Sequence, residues 1–147
     1  MGQLILPQSG YVYVDANTVI YSVEKIEPYC AILQPLWSAA QQGQFLVISS
    51  ELVLLETLVK PLKESDTILA TCFREFLSAS KEVQLISITL AILEKAAFLR
   101  ATTSLKPPDA IHAATALTKG KIAFITNDPS FKRVPGLSVV VLQEILS

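Results

Sequence analysis

Four acidic side chains stand where a folded chain could use them together for chemistry: Asp15, Glu56, Asp109 and Asp128. Carboxylates gathered in one place repel one another, so each needs a counter-charge or a raised pKa. Oxygen-rich acidic pockets suit the hard cations Mg²⁺ and Mn²⁺. If the fold brings the four together, the chemistry they predict is metal-assisted hydrolysis.

The three aspartates adjoin the ends of predicted elements. Asp15 directly follows the short apolar run Tyr11–Val14, and Asp128 follows the run Ile122–Ile125 after two intervening residues. Asp109 lies in the first turn of a helix that begins with a pair of prolines, which are tolerated there. In a parallel sheet these positions meet at the carboxyl edge.

Glu56 is placed by a different pattern. Leu52, Leu55 and Val59 mark a predicted apolar stripe on one helix, and Glu56 lies on that stripe. A carboxylate on a buried face is costly unless it is paired or binds a metal. The pattern therefore predicts an inward-pointing acid.

Each acid also has a simpler explanation. Asp15 could cap a helix, Asp109 could complement a helix dipole, Asp128 before a proline is typical of a turn, and Glu56 could reach solvent. The functional interpretation depends on all four meeting at one edge.

Strand-like and helix-like patterns alternate along the chain and would position these acids. They predict an α/β fold, one domain over residues 1–147 with its core in 11–142, and a mostly parallel central sheet of about five strands with helices on both faces. The five predicted strands are Tyr11–Val14, Phe45–Ile48, Val83–Ile88, Ile122–Ile125 and Val139–Leu142.

A further helix is predicted behind a cap at Ser65. Its apolar stripe includes Ile68 and Cys72, and both cysteines, Cys30 and Cys72, are expected to be reduced core residues.

Taken together, these segments resemble the PIN-domain nucleases, from Tyr11 to Leu142. The motifs that carry the resemblance are Val-Tyr-Val-Asp-Ala-Asn-Thr at residues 12–18, the acid at 56, Pro-Asp-Ala-Ile-His-Ala-Ala-Thr-Ala at 108–116, and Phe-Ile-Thr-Asn-Asp-Pro-Ser-Phe at 124–131. Two of them, Asp-Ala-Ile-His-Ala-Ala-Thr-Ala and Thr-Asn-Asp-x-x-Phe, are fairly specific in combination.

The resemblance implies a mostly parallel sheet, dependence on a divalent metal and ribonuclease activity. It matches Asp15, Glu56, Asp109 and Asp128 to the family's acidic site, with Thr126 or Asn127 at supporting polar positions. Many single-domain members of this kind are VapC-type toxins held by a small antitoxin protein.

The expected chemistry is hydrolysis of an RNA phosphodiester bond with Mg²⁺ or Mn²⁺ as cofactor, leaving a 5′-phosphate and a 3′-hydroxyl. Asp15 and Asp109 would hold the metal, with Asp128 and Glu56 binding it directly or through water. Asn17 and Thr126 could orient waters or carboxylates.

Other polar residues near these motifs have less specific roles. The one histidine, His112, lies three residues beyond Asp109; it could line the site, although a lone histidine in a helix is usually structural. Lys132 and Arg133 are candidates for contacts with RNA phosphates, as are Lys60 and Lys63, and the alternative for all four is a solvated surface.

Two other functions stay open. Residues 15–18, Asp-Ala-Asn-Thr, approach the nucleophile loop of haloacid-dehalogenase-type phosphatases, but Asn17 replaces that loop's second aspartate. Alternatively the fold could be a non-catalytic protein-interaction module. A hydrophobic content of 51% exceeds what a small core hides easily, and helices at 28–42 and 65–80 could form a homodimer seam or dock an antitoxin.

Composition excludes some classes of protein. Twelve basic and thirteen acidic residues give a net charge of −1, which argues against coating nucleic acid by bulk charge. If the four acids share one pocket, nine acids face twelve bases elsewhere, which is compatible with an acidic cleft rimmed by positive charge. No secretory signal or membrane span is predicted, and a cytoplasmic protein is expected.

Overall fold

The computed structural model describes residues 2–146 and consists of a five-stranded sheet flanked by helices. The elements in chain order are β1 (Tyr11–Val14), α1 (Ala16–Val23), α2 (Tyr29–Gln41), β2 (Leu46–Ser50), α3 (Leu52–Lys63), α4 (Thr67–Ser78), β3 (Val83–Ile86), α5 (Leu90–Thr103), α6 (Pro107–Leu117), β4 (Ala123–Thr126), a 3₁₀ turn (Pro129–Arg133), β5 (Ser138–Val141) and α7 (Leu142–Ile145).

The strands lie in the order β3-β2-β1-β4-β5, and every pairing is parallel. The prediction of a mostly parallel α/β sheet is confirmed, and the described sheet is parallel throughout. Because β1 is central, its carboxyl end lies between those of β2 and β4. Tyr13 is in register with Ile48 on one side and Phe124 on the other.

Side chains alternate across the sheet and so define two apolar layers. Val12 and Val14 face the layer that α1–α4 cover, together with Leu33 and Phe73. Tyr13 faces the opposite layer, which α5 and α6 cover. Helices on both faces bury most of the three inner strands, β1, β2 and β4, whereas the edge strands β3 and β5 are partly exposed.

Strand β2 extends further than predicted, through Ser49 and Ser50 to the site edge. Both serines are fully buried, and their polar groups have partners: the Ser49 hydroxyl donates to the Val14 carbonyl at 2.7 Å, and the Ser50 amide donates to the Tyr13 hydroxyl at 3.0 Å. Buried polar groups are tolerated when hydrogen-bonded, so two serines can continue the strand.

The prediction of an apolar stripe in α3 is wrong. Leu55 and Val59 are exposed, and the buried face consists of Val53, Thr57 and Pro61. Thr57 can lie there because its hydroxyl donates to the Val53 carbonyl at 2.9 Å within the helix. Glu56 is therefore at the rim of the buried face and not within an apolar stripe.

Two smaller expectations are also wrong. The cap of α4 is Asp66, whose carboxylate accepts from the Leu69 amide at 3.0 Å, and not Ser65. Cys72 is exposed on α4, and so is Ile68, whereas Phe73 and Leu77 face the core. Within residues 2–146, none of the helices is both long and apolar enough to cross a membrane.

Candidate active site

An acidic cleft of about 400 Å³ opens at the carboxyl edge of the sheet. It is lined by Asp15, Ala16, Asn17, Ile20, Glu56, Val59, Asp109 and His112. Three of the four predicted acids therefore meet at one place. The side chains described around the cleft include no lysine or arginine, and the one basic side chain among them, His112, is bonded to Glu56.

Asp15 forms the floor of the cleft, directly after β1. Its carboxylate accepts hydrogen bonds from the hydroxyls of Thr126 at 2.5 Å and Thr18 at 2.9 Å, and from the Thr18 amide at 3.2 Å. Burial raises its pKa, while the Thr126 hydrogen bond and the neighbouring His112 oppose that shift. Asp15 is both the cap of α1 and a site residue, so the two sequence interpretations are compatible.

Asp109 enters the cleft from the first turn of α6. The side chain is half-buried, and desolvation raises its pKa, with further increases from the charges of Asp128, Asp15 and Glu56. His112, one turn later, acts in the opposite direction. Burial is thus the main cause of the rise, and repulsion by the other carboxylates adds to it.

Asp128 lies at the edge of this group. Its carboxylate accepts from the Ser130 amide at 2.9 Å and so begins the 3₁₀ turn, as the Asp-Pro interpretation suggested. It does not line the cleft itself, but of the charges that act on Asp109 its effect is the largest.

Glu56 reaches the cleft from α3 and is bonded to His112. The Oε1 atom of Glu56 lies 2.6 Å from Nε2 of His112, and the other ring nitrogen, Nδ1, lies 2.6 Å from the Tyr13 hydroxyl. His112 is 1% exposed. The histidine thus connects a buried tyrosine to an acid at the cleft.

Thr126 connects two of the acids through one hydroxyl. It donates to Asp15 Oδ2 and accepts from the Asp128 amide at 3.0 Å, so the end of β4 is tied to the end of β1. Asn17 is exposed and lines the cleft. Asn127 bonds the Tyr21 hydroxyl at 3.2 Å and the Gln143 amide at 2.8 Å, which are outside the cleft lining.

Two of the four predicted phosphate-binding residues, Lys132 and Arg133, already have partners within the chain. The Lys132 ammonium contacts both carboxylate oxygens of Glu144 at 2.6 and 2.7 Å, with both side chains about half exposed. Arg133 donates to the Thr103 carbonyl at 3.4 Å. Exposed ion pairs of this kind are weak, so neither contact prevents binding to a phosphate.

The donor set fits a hydrated divalent cation. Among residues 2–146, no three His, Cys, Asp or Glu side chains are close enough to form a ready-made metal cage. Mg²⁺ rarely uses such cages: it keeps several waters and binds through one or two carboxylates plus substrate phosphates. Asp109 and Asp15, with raised pKa values and no lysine or arginine in the described lining, offer that kind of incomplete coordination.

Sequence reasoning missed Tyr13 and Ser50, which support the site from beneath. Tyr13 is buried within the β1 run, where an aromatic side chain is ordinary for a strand, and the two contacts of its hydroxyl come from residues 37 and 99 positions away. The only available signal was a tyrosine on a strand that ends at an acid.

Comparison with known proteins identifies the fold. A family model described as the PIN domain matches residues 12–137. Among curated proteins, no relative matches the chain by sequence.

Three solved structures are similar over almost the whole chain. VapBC2 from Rickettsia felis, bound to a DNA fragment from its promoter, has a TM-score of 0.69 at 19% identity and covers 90% of this chain and 98% of its own. A toxin-antitoxin complex from Klebsiella pneumoniae has a TM-score of 0.64 at 24% identity and covers 89% of this chain and 97% of its own. FitAcB from Neisseria gonorrhoeae has a TM-score of 0.66 at 15% identity and covers 90% of this chain and 98% of its own. At these identities the likeness establishes the fold.

Proposed function

The chain belongs to the PIN-domain family, and from that membership we propose that it is a ribonuclease that uses Mg²⁺ or Mn²⁺ to hydrolyse RNA phosphodiester bonds, acting as the toxin of a toxin-antitoxin pair. The observation that carries the proposal is the acidic cleft at the carboxyl edge, where Asp15, Glu56 and Asp109 meet with no lysine or arginine in the described lining. Proteins of this family are generally nucleases. Membership also argues against the phosphatase alternative.

In the proposed mechanism, Asp15 and Asp109 hold the cation, and Glu56 and Asp128 complete the acidic set. When bound, a divalent cation activates a water molecule and neutralises charge that develops on the phosphate. Thr18 and Thr126 fix the orientation of the Asp15 carboxylate. Because the described lining has three carboxylates and no lysine or arginine, it needs the cation to accept a phosphate.

The direct test is cleavage of a mixed single-stranded RNA by the purified protein. We expect cleavage with Mn²⁺ or Mg²⁺, none with EDTA, and products that carry a 5′-phosphate and a 3′-hydroxyl. Asp66→Asn is a matched control for substitutions of the cleft aspartates, since Asp66 is an exposed aspartate that caps α4. That variant should cleave like the wild type. Cleavage that continues in EDTA would refute the proposed chemistry.

Phosphate contact by Lys132 gives a second prediction. Glu144 holds the Lys132 ammonium, so Glu144→Gln should release it and lower KM for RNA, whereas Lys132→Met should raise KM. Both changes should leave kcat nearly unchanged, because the pair lies outside the cleft lining. The measurement is steady-state cleavage at two salt concentrations, since phosphate contacts weaken as salt rises. Equal KM values in all three proteins would remove Lys132 from the RNA surface.

The proposed partners are a small antitoxin and a second copy of this chain, in the cytoplasm. Support comes from the similar folds, which include a toxin-antitoxin complex, and from large apolar side chains left exposed. These lie mainly on α3 and α5, and include Leu55, Leu62, Leu90 and Phe98, so the apolar excess is centred on other helices than the 28–42 and 65–80 segments considered from sequence. A binding role of this kind accompanies the enzyme and does not replace it.

A further inference from the structure

His112 is enclosed between residues from two distant parts of the chain. It lies in α6 and is 1% exposed, and each ring nitrogen has one partner. Nδ1 is 2.6 Å from the hydroxyl of Tyr13 on β1, and Nε2 is 2.6 Å from Oε1 of Glu56 on α3. The ring therefore joins the centre of the sheet to the rim of the cleft.

The direction of each hydrogen bond follows from the two ends of the series. The Glu56 carboxylate only accepts, so Nε2 of His112 is the donor to Oε1. In the neutral ring Nδ1 then accepts from the Tyr13 hydroxyl, whose oxygen accepts from the Ser50 amide at 3.0 Å. The tautomer of a histidine is set by the bonds its nitrogens make, so Glu56 and Tyr13 together fix the tautomer of His112.

Packing holds the ring of Tyr13, the first side chain in this series of hydrogen bonds. Its ring stacks on Phe124 with centroids 4.9 Å apart and planes 5° from parallel, and it meets the His112 ring edge-on at 5.7 Å. Tyr13 is fully buried, and burial raises its pKa, so the hydroxyl keeps its proton and stays a donor. A rigid donor fixes the ring that follows it.

We propose that His112 is a positioning residue, which holds the Glu56 carboxylate at the acidic cleft through the chain Ser50–Tyr13–His112–Glu56. This inference rests on the proposed function for its effect on cleavage. His112 contacts Oε1 of Glu56, which leaves the other carboxylate oxygen available to a hydrated cation. The glutamate side chain is 24% exposed, and without this bond nothing else described in the structure fixes its carboxylate.

Glutamine at position 112 separates positioning from proton transfer. Its carbonyl oxygen can accept from Tyr13 while its amide nitrogen donates to Glu56, yet it cannot carry a proton at neutral pH. We expect His112→Ala to lower both Mn²⁺ affinity and kcat/KM by ~10–100-fold, as for other groups that orient metal ligands. His112→Gln should keep both within severalfold of the wild type.

Three controls make the test specific. Thr115→Val changes an equally buried α6 residue that bonds only its own helix, and should have no effect on either quantity. Glu56→Gln combined with His112→Ala should weaken Mn²⁺ binding no more than Glu56→Gln alone. Nitrogen NMR of the metal-free wild type should show His112 protonated on Nε2, and Tyr13→Phe should disturb that tautomer.

The outcomes divide cleanly. Retained function in the glutamine variant with loss in the alanine variant supports positioning. The positioning role would be overturned by equal losses in His112→Ala and His112→Gln, or by no loss in either. It would also be overturned by additive effects with Glu56→Gln or by protonation on Nδ1. If the wild type cleaves no RNA, the proposed function fails, while Mn²⁺ affinity and the tautomer still decide the role of His112.

Discussion

Asp109→Asn is expected to melt at a higher temperature than the wild type and to cleave RNA at least ~100-fold more slowly. The loss of activity follows from removing a proposed cation ligand, since even groups that only orient such ligands contribute 10–100-fold. The gain in stability follows from the raised pKa of Asp109, which shows that its charged form is disfavoured in the folded state.

The pH dependence has a definite sign. The pKa of Asp109 is higher in the folded protein than in the unfolded chain, because of burial and then the charge of Asp128. As pH rises from the unfolded pKa to the folded one, the unfolded chain loses its proton first, so the free energy of unfolding falls. The penalty is complete above the folded pKa and absent below the unfolded one. Asparagine at position 109 has no charge and therefore avoids this penalty.

Calorimetry without metal, at neutral and at acid pH, measures this difference. A gain of ~1 kcal/mol would raise Tm by about 2–4 °C at neutral pH, and the gain should vanish in acid. Adding Mn²⁺ should reverse the order, because a cation at 100 times its Kd stabilises the wild type by ~2.7 kcal/mol and the variant by less. A variant less stable than the wild type at neutral pH without metal would contradict the repulsion inferred for the cleft.

Thr126→Val should destabilise the fold by ~2–3 kcal/mol. Valine has nearly the same shape but lacks the hydroxyl that donates to Asp15 at 2.5 Å and accepts from the Asp128 amide at 3.0 Å. The change leaves a buried carboxylate and a backbone amide each short of a partner, and such groups cost about 1–3 kcal/mol apiece. At roughly 2–4 °C per kcal/mol, Tm should fall by about 4–12 °C.

Urea unfolding of three proteins tests this prediction. Thr126→Ser keeps the hydroxyl and should recover much of the loss. Thr57→Val, at another buried threonine whose hydroxyl bonds only its own helix, should cost less because no carboxylate depends on it. The deficit of Thr126→Val should shrink as pH falls toward the raised pKa of Asp15, since a protonated carboxyl needs the hydrogen bond less. A pH-independent deficit would mean that Asp15 is not its cause.

The sheet was predictable because short apolar runs alternate with helical patterns, and parallel strands must then be joined by helices. The positions of Asp15 and Asp109 followed from that topology, since each adjoins the end of an element. The exact ends of strands did not follow. Ser49 and Ser50 extend β2 by hydrogen bonds to β1 that no local pattern reveals.

Helix faces were harder to predict where apolar residues are dense. In α3, leucines and valines occupy several faces, so spacing could not identify the buried one, and Thr57 lies on it because its own helix satisfies its hydroxyl. The partners of His112 could not be predicted for another reason. Its contacts come from residues 99 and 56 positions away, and only the folded chain brings them together.

The position of β1 in the sheet also sets the order in which the molecule can be built. β1 is synthesised first but lies between β2 and β4, and β4 begins only at Ala123. One edge of the central strand therefore stays open until β4 has been synthesised, and Asp15 lacks its Thr126 partner for the same interval. Pairings this distant in sequence form late, because loop closure precedes their stabilisation. A nascent chain that ends before β4 carries every residue that lines the cleft but lacks the Thr126 hydroxyl that orients Asp15, so the floor of the cleft is fixed only after β4 has formed.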